Sequence, residues 1–354
     1  MAQFLLFPLS RFLFSSTLPR RMRRVSYERA HTDSGIDEGA MTTQGEEKRG
    51  ADSSPESAHE GSGDVRHSDQ DPLKRERQLQ KHGPVLAIGG HEDKGVNGEI
   101  LQCFVELAGG KQARVVLVPT ASSEPEEMAE EYEKAFKKLG VSTIDVLDIR
   151  NRSDANSEGA VEKIRKSTGV FVTGGDQSRL VEMIIGTRVM DTLRVRNAEG
   201  MIIAGTSAGA SLVAQHMMLG GSGVGGDSGD SAARKAMVEV VGGLGLLPNV
   251  IIDQHFSERG RMGRLLAAFA RNPGLVGIGL DENTAVLVQP DGVLETLGEG
   301  MVTIIDGRAT VSDYFDREPG EVLTIVDCSL HVLGPGRKFD LIAHAPISHF
   351  KGAE

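Results

Sequence analysis

The chain predicts an α/β fold: a mostly parallel sheet with helices on both faces and extra antiparallel strands at the C-terminus. Three observations lead there. From Pro84 onward, short and nearly continuous apolar runs alternate with amphipathic segments, the pattern of strands buried on both faces. Several of these runs stop at glycine pairs, as at Gly89-Gly90 and Gly174-Gly175. From Ala285 the helical spacing gives way to strand-rich sequence with the turn signals Pro290-Asp291-Gly292, Asp306-Gly307 and Gly334-Pro335-Gly336.

The elements follow in order. Val85-Leu86-Ala87-Ile88 reads as the first strand, followed by a helix over 99–107. A second strand covers 114–118. The next helix, over 124–139, is acidic at its start and lysine-rich at its end, as the helix dipole prefers. A strand over 142–149, a helix over 159–167 and a strand over 169–173 come next, then one long helix leading to the run Met201-Ile202-Ile203-Ala204. That run enters Gly205-Thr206-Ser207-Ala208-Gly209 and a helix that continues through Gln215, on which His216 also falls. The segment 250–255 is a further strand. In parallel sheets the chemistry gathers at the carboxyl ends of the strands. Gly174–Gln177, Ser207 and Asp253–His255 all fall at such ends.

Residues 1–83 read differently, as a leader before a single α/β domain over 84–348 and a short tail over 349–354. Residues 32–81 are rich in Ser, Gly, Glu, Asp and His, and hold too little apolar surface to offset chain entropy, so disorder is expected. Residues 1–24 carry Arg11, Arg20, Arg21, Arg23 and Arg24 among Phe and Leu, with no acid before Glu28. An organellar transit peptide has that composition; a solvated tail, or translation upstream of a start at Met22 or Met41, are the plainer readings. The formal net charge of −11 argues against nucleic acid as a partner. No run reaches the length of a membrane-spanning helix. Cys103 and Cys328 stand far apart with no metal-ligand spacing, which suits a reducing, cytoplasmic setting.

Strand, Gly-x-Ser-x-Gly turn and helix in succession form the context of a nucleophile elbow, with Ser207 at its apex. A serine hydroxyl needs a base. Of ten histidines, His255 ends an apolar run at a strand's carboxyl end and is the candidate. The acid that orients it is sought between the two: Asp227 and Asp230 lie in a glycine-rich loop, with Glu239 beyond. Sequence alone does not separate them. The N–H groups of Ala208 and Gly175 are candidates for an oxyanion hole. Asp176 also reads as a helix N-cap. His91-Glu92-Asp93 suggests a metal but reads more simply as a polar loop, and no metal or organic cofactor is required.

The motifs Phe171-Val172-Thr173-Gly174-Gly175-Asp176-Gln177, Gly205-Thr206-Ser207-Ala208-Gly209-Ala210, 242–248 with its three glycines, Asp253-Gln254-His255-Phe256 and Gly277 through Ala285 together resemble the cyanophycinase family. These are serine exopeptidases grouped with aspartyl dipeptidase, or peptidase E. The resemblance spans roughly 84–347 and implies a fold like the class I glutamine amidotransferase domain. It implies Ser207 as nucleophile and His255 as base. Ser228-Gly229-Asp230 with Arg234 matches the family pattern best, which favours Asp230 as the acid. The implied substrate is cyanophycin, a polyaspartate with arginine on each side-chain carboxyl, released as β-aspartyl-arginine dipeptides.

Such a polymer needs matching charges. Asp253 and Gln254 can receive a guanidinium, Arg259, Arg261 and Arg264 can clamp carboxylates, and Gln177 matches a family substrate contact. Family members are often dimers, so a homodimer is expected. A dipeptidase on short aspartyl peptides, or a non-catalytic binding module on the same fold, are the rival readings.

Overall fold

A computed structural model describes residues 83–220 and 232–347. Its elements begin with β1 (Val85–Ile88), α1 (Glu99–Leu107), β2 (Arg114–Val118), α2 (Pro125–Lys138), β3 (Thr143–Val146), α3 (Arg152–Ala155), α4 (Glu158–Lys166) and β4 (Gly169–Val172). They continue with α5 (Gln177–Ile184), α6 (Arg188–Ala198), β5 (Ile202–Thr206) and α7 (Ala208–Val213). β6 (Ala214–Gly220), β7 (Val238–Gly242), β8 (Leu247–Gln254), α8 (Met262–Arg271) and β9 (Val276–Leu280) follow. The rest is strand: β10 (Thr284–Val288), β11 (Val293–Gly298), β12 (Val302–Asp306), β13 (Val311–Ser312), β14 (Ile325–Val326), β15 (Ser329–Leu333), β16 (Lys338–Asp340) and β17 (Ala345–Ile347).

The helix ends are chemically specified. α2 opens on Pro125 with Glu126 and Glu127 in its first turn and closes on Lys137 and Lys138, which complements the dipole at both ends. Ser157 caps α4, and Asp176 caps α5 through the N–H of Ser178.

The strands form two principal sheets. The nine-stranded sheet runs β17-β16-β11-β10-β1-β5-β4-β2-β3. Its half from β1 to β3 is parallel, and its half from β10 to β17 is antiparallel. The second sheet has six strands, β15-β12-β9-β8-β6-β7, with β6, β8 and β9 parallel.

Alternation along each strand divides the core. Leu86, Ile88, Val115, Leu117, Ile202 and Ala204 pack beneath α1 and α2, where Phe104, Tyr132, Phe136 and Phe171 stack together. Val85, Ala87, Val116, Val118 and Ile203 face the opposite way. They join Ile164 and Leu193 from the helices and Ile252, Ile278 and Ile304 from the second sheet in one apolar cluster. The far side of the second sheet buries Ile251 and Ile305 against Leu265 and Phe269 of α8.

Three expectations change in detail. The helix after the elbow stops at Val213, and residues 214–220 are strand β6, bonded in parallel to β8 and antiparallel to β7. His216 therefore lies on that strand. A short apolar run does not by itself distinguish a helical turn from a strand, and pairing on both edges decides here. The long helix before the elbow is two helices, broken at Gly186 (φ 72°), with Thr187 capping the second through Met190 N–H. Finally, the strand before His255 belongs to the second sheet, so His255 reaches Ser207 from a different sheet. Among the described residues no helix is long and apolar enough to cross a membrane.

Candidate active site

The site forms where five strand ends converge, and the end of β1 ties three of the loops together. Three successive carbonyls there each accept one N–H. Ile88 takes that of Ser207 at 2.9 Å, Gly89 that of His255 at 3.0 Å, and Gly90 that of Asn283 at 2.8 Å. Gly90 (φ 105°) is required twice over: a Cβ there would sit 2.4 Å from the His255 ring.

Ser207 follows β5 with φ 52° and ψ −115°, the strained apex that an elbow needs. The turn closes so tightly that a Cβ on Gly205 would meet the carbonyl oxygen of Gly209 at 2.1 Å. This explains the paired glycines of the motif. Below it, the Thr206 hydroxyl donates to the buried carboxylate of Glu92 at 2.7 Å, and the Tyr132 hydroxyl donates to the other oxygen. Burial pushes the Tyr132 phenol well above its ordinary value, so it stays a proton donor there.

Ser207 Oγ lies 2.9 Å from His255 Nε2. The other ring nitrogen, Nδ1, lies 2.7 Å from Glu282 Oε1. Glu282 follows β9, two residues past Leu280. Its second oxygen, Oε2, is 2.8 Å from Nδ1 of His91. One carboxylate thus bridges two imidazoles, whose rings pack edge to face at 5.2 Å. Eight non-glycine residues among those described have positive φ, and four of them are His91, Ser207, His255 and Asn283. Backbone strain of that kind concentrates where a structure fixes functional groups.

Burial lowers the His255 imidazole below its ordinary value, against the raising influence of the hydrogen bond to Glu282. The ring is therefore neutral, and able to accept a proton, at lower pH than a free histidine. For Glu282 the order is reversed. Burial favours its neutral form, but hydrogen bonds from His91 and His255 outweigh that and hold its carboxyl below the usual range.

An open cleft of about 460 Å³ lies beside Ser207. Gly175, Asp176, Gln177 and Ser178 form one wall, and Gln254, Arg259, Arg261 and Arg264 form the other. Gly174 abuts Ser207, since a Cβ there would be 2.9 Å from the Ser207 Cβ. Gly175 has φ 140°, and a Cβ there would stand 2.1 Å from the Ala121 carbonyl oxygen. Ala208 begins α7, where the first N–H groups of a helix have no intrahelical acceptor. Gln177 donates to the Met218 carbonyl at 2.8 Å.

Asp253 is placed differently from the sequence reading. It is wholly buried and does not line the cleft. Its carboxylate meets guanidiniums of its own chain, Arg261 and Arg264, each at 3.1 Å. Arg261 also donates to the backbone and side-chain oxygens of Gln254. Asp253 thus positions two cleft arginines. Arg259 is exposed at the cleft mouth.

Asp230 and Asp227 lie outside the described residues, and Glu239 is exposed on β7. The carboxylate at His255 is Glu282, which follows His255 in the chain, whereas the sequence points to an acid between Ser207 and His255. The signal was present in Asp281-Glu282-Asn283, an acid pair just beyond an apolar strand in one of the resembling motifs.

A hydroxyl, an imidazole and a carboxylate in series at the strand ends of an α/β sheet is the arrangement of a serine-type hydrolase. The comparisons make the class specific. A family model described as peptidase family S51 matches residues 85–296, and the chain belongs to that family. It is a peptidase. The chain is 40% identical over 266 residues to the cyanophycinase of Geminocystis herdmanii (strain PCC 6308), covering 75% of this chain and 96% of that one. It is 41% identical over 262 residues to the cyanophycinase of Nostoc sp. (strain PCC 7120 / SAG 25.82 / UTEX 2576), covering 73% of this chain and 85% of that one. Among solved structures it is similar to a peptidase from an acI-B1 Actinobacterium, with a TM-score of 0.55 and 20% identity over 75% of this chain and all of that one. At that identity the likeness shows the fold alone.

Proposed function

We propose that the protein is a serine exopeptidase that hydrolyses cyanophycin to β-aspartyl-arginine dipeptides through an acyl-enzyme. The observation that carries the chemistry is the series Ser207 Oγ, His255 and Glu282, with contacts of 2.9 and 2.7 Å. His255 Nε2 takes the Ser207 proton as Oγ attacks the backbone carbonyl. Glu282 holds the ring proton on Nδ1 and stabilises the imidazolium. The N–H groups of Ala208 and Gly175 receive the oxyanion. His255 then protonates the leaving amine, and water, deprotonated by the same ring, releases the acyl group. In this reading Glu282 fills the role that the sequence argument gave to Asp230.

Charge in the cleft supports the substrate. Arg259, Arg261 and Arg264 offer guanidiniums to aspartyl carboxylates, while Asp176 and Gln254 offer oxygen acceptors to a substrate guanidinium. Gln177, on the wall beside Asp176, is a further polar contact. The relatives named above carry the name cyanophycinase, and at about two-fifths identity the same substrate is the reading we adopt here. A homodimer in a reducing cytoplasm completes it. The test is incubation with insoluble cyanophycin and mass analysis of the soluble products. Release of β-aspartyl-arginine supports the proposal. Cleavage confined to short α-aspartyl peptides such as Asp-Leu would assign the chain to the dipeptidase branch.

A further inference from the structure

We propose that His91, Glu282 and His255 form a binding site for a divalent cation of the zinc class, and that filling it shuts off the hydrolytic centre. The ligand atoms of these three residues all lie within 4.8 Å of one another. Two zinc ligands at about 2.0–2.1 Å and a tetrahedral angle stand roughly 3.3 Å apart. The separations here are 2.8 Å from His91 Nδ1 to the carboxylate and 2.7 Å from His255 Nδ1 to it. A cation entering between them opens these contacts by about half an ångström each.

Two imidazole nitrogens and a carboxylate suit zinc, and leave its fourth position to water. Magnesium and calcium, which prefer all-oxygen shells, fit poorly. His91 is 71% exposed and provides the entry side, and Glu282 is 28% exposed and can shift. The frame beneath is fixed: Gly90 O accepts from Asn283 N, and Asp93 N donates to Asn283 Oδ1 at 2.9 Å. The loop bearing His91 is thereby fastened to the loop bearing Glu282.

The consequence for catalysis follows from the tautomer. In the working enzyme the single proton of neutral His255 sits on Nδ1, and Nε2 presents its lone pair to Ser207. A cation on Nδ1 uses that lone pair position, so the ring proton moves to Nε2. There it donates to Oγ and the base is gone. No proton is gained or lost in the exchange. The inhibition, though not the binding, rests on the function proposed above.

The test has two arms. In the first, Zn²⁺ is titrated calorimetrically into the full chain carrying Ser207→Ala, which keeps all three ligands, and into the same chain with His91→Ala added. The other histidines set a background that the difference removes. The added substitution is expected to weaken one Zn²⁺ site by more than about tenfold, the least that loss of a supporting partner costs a metal site. Indistinguishable isotherms would overturn the proposal. In the second arm, dipeptide release is measured with and without Zn²⁺, and the ratio is compared within each chain. Inhibition of the unaltered chain, relieved by His91→Ala and not reproduced by Mg²⁺, supports the proposal. Zn²⁺ bound at the His91-dependent site with hydrolysis undiminished would overturn it. A chain without hydrolytic activity in the absence of metal would instead sink the proposed function, and calorimetry alone would then decide the site.

Discussion

Replacing Glu282 by Gln separates the two candidate acids. In the present geometry both carboxylate oxygens are used, Oε1 by His255 at 2.7 Å and Oε2 by His91 at 2.8 Å. A glutamine supplies one acceptor and one donor in their place and no charge. If the amide N–H₂ faces His255, the ring proton is driven to Nε2 and the base is lost. If the amide oxygen faces it, the imidazolium still loses its counter-charge. An isosteric acid-to-amide change of this kind costs a serine triad about 10⁴-fold in kcat, or roughly 5.4 kcal/mol at 1.36 kcal/mol per decade. Dipeptide release from cyanophycin under saturating substrate provides the assay, with circular dichroism as the control for folding. Asp230→Asn, measured in parallel, is expected to remain within a few-fold of the unaltered chain. The reasoning is refuted if Glu282→Gln keeps more than a tenth of the activity while Asp230→Asn loses orders of magnitude.

Further outcomes follow from the same geometry. The acid limb of kcat/KM reports His255 in the free enzyme; activity requires the neutral ring and so rises with pH through its pKa. Burial lowers that pKa, so the midpoint of the limb is expected below the ordinary histidine value of about 6.5; a midpoint at or above that value counts against the assignment. Asp253→Ala leaves two buried guanidiniums facing a removed carboxylate, a loss of about 3–5 kcal/mol, visible as a lower denaturant midpoint together with a raised KM. Gly205→Ala forces a methyl to within 2.1 Å of the Gly209 carbonyl and is expected to destabilise by at least about 1–3 kcal/mol and to abolish activity, both read on the purified variant.

Much of this molecule was legible in the letters. The parallel half of the nine-stranded sheet follows from apolar runs at β1, β2, β4 and β5, because strands covered on both faces carry no polar alternation to confuse the reading. The elbow was legible because its two glycines are forced by backbone contact. The second sheet was not, since Ala214–Gly220 is apolar enough for helix or strand and only its partners β7 and β8 decide. Glu282 was hidden for a different reason. Its part depends on β9 lying beside β8, a pairing between segments that sequence does not rank. Asp253 was misplaced because an acid next to a candidate base looks exposed to substrate on paper, whereas alternation along β8 turns it inward onto Arg261 and Arg264.

The most direct test of the central claim is covalent capture of the nucleophile. The full chain is incubated with a fluorophosphonate, and the adduct is located by peptide mass mapping. One label per chain on the peptide containing Ser207, lost in His255→Ala and accompanied by loss of dipeptide release, is the expected result. Full hydrolysis of cyanophycin by Ser207→Ala, or an inactivating label on any other residue, would contradict the account.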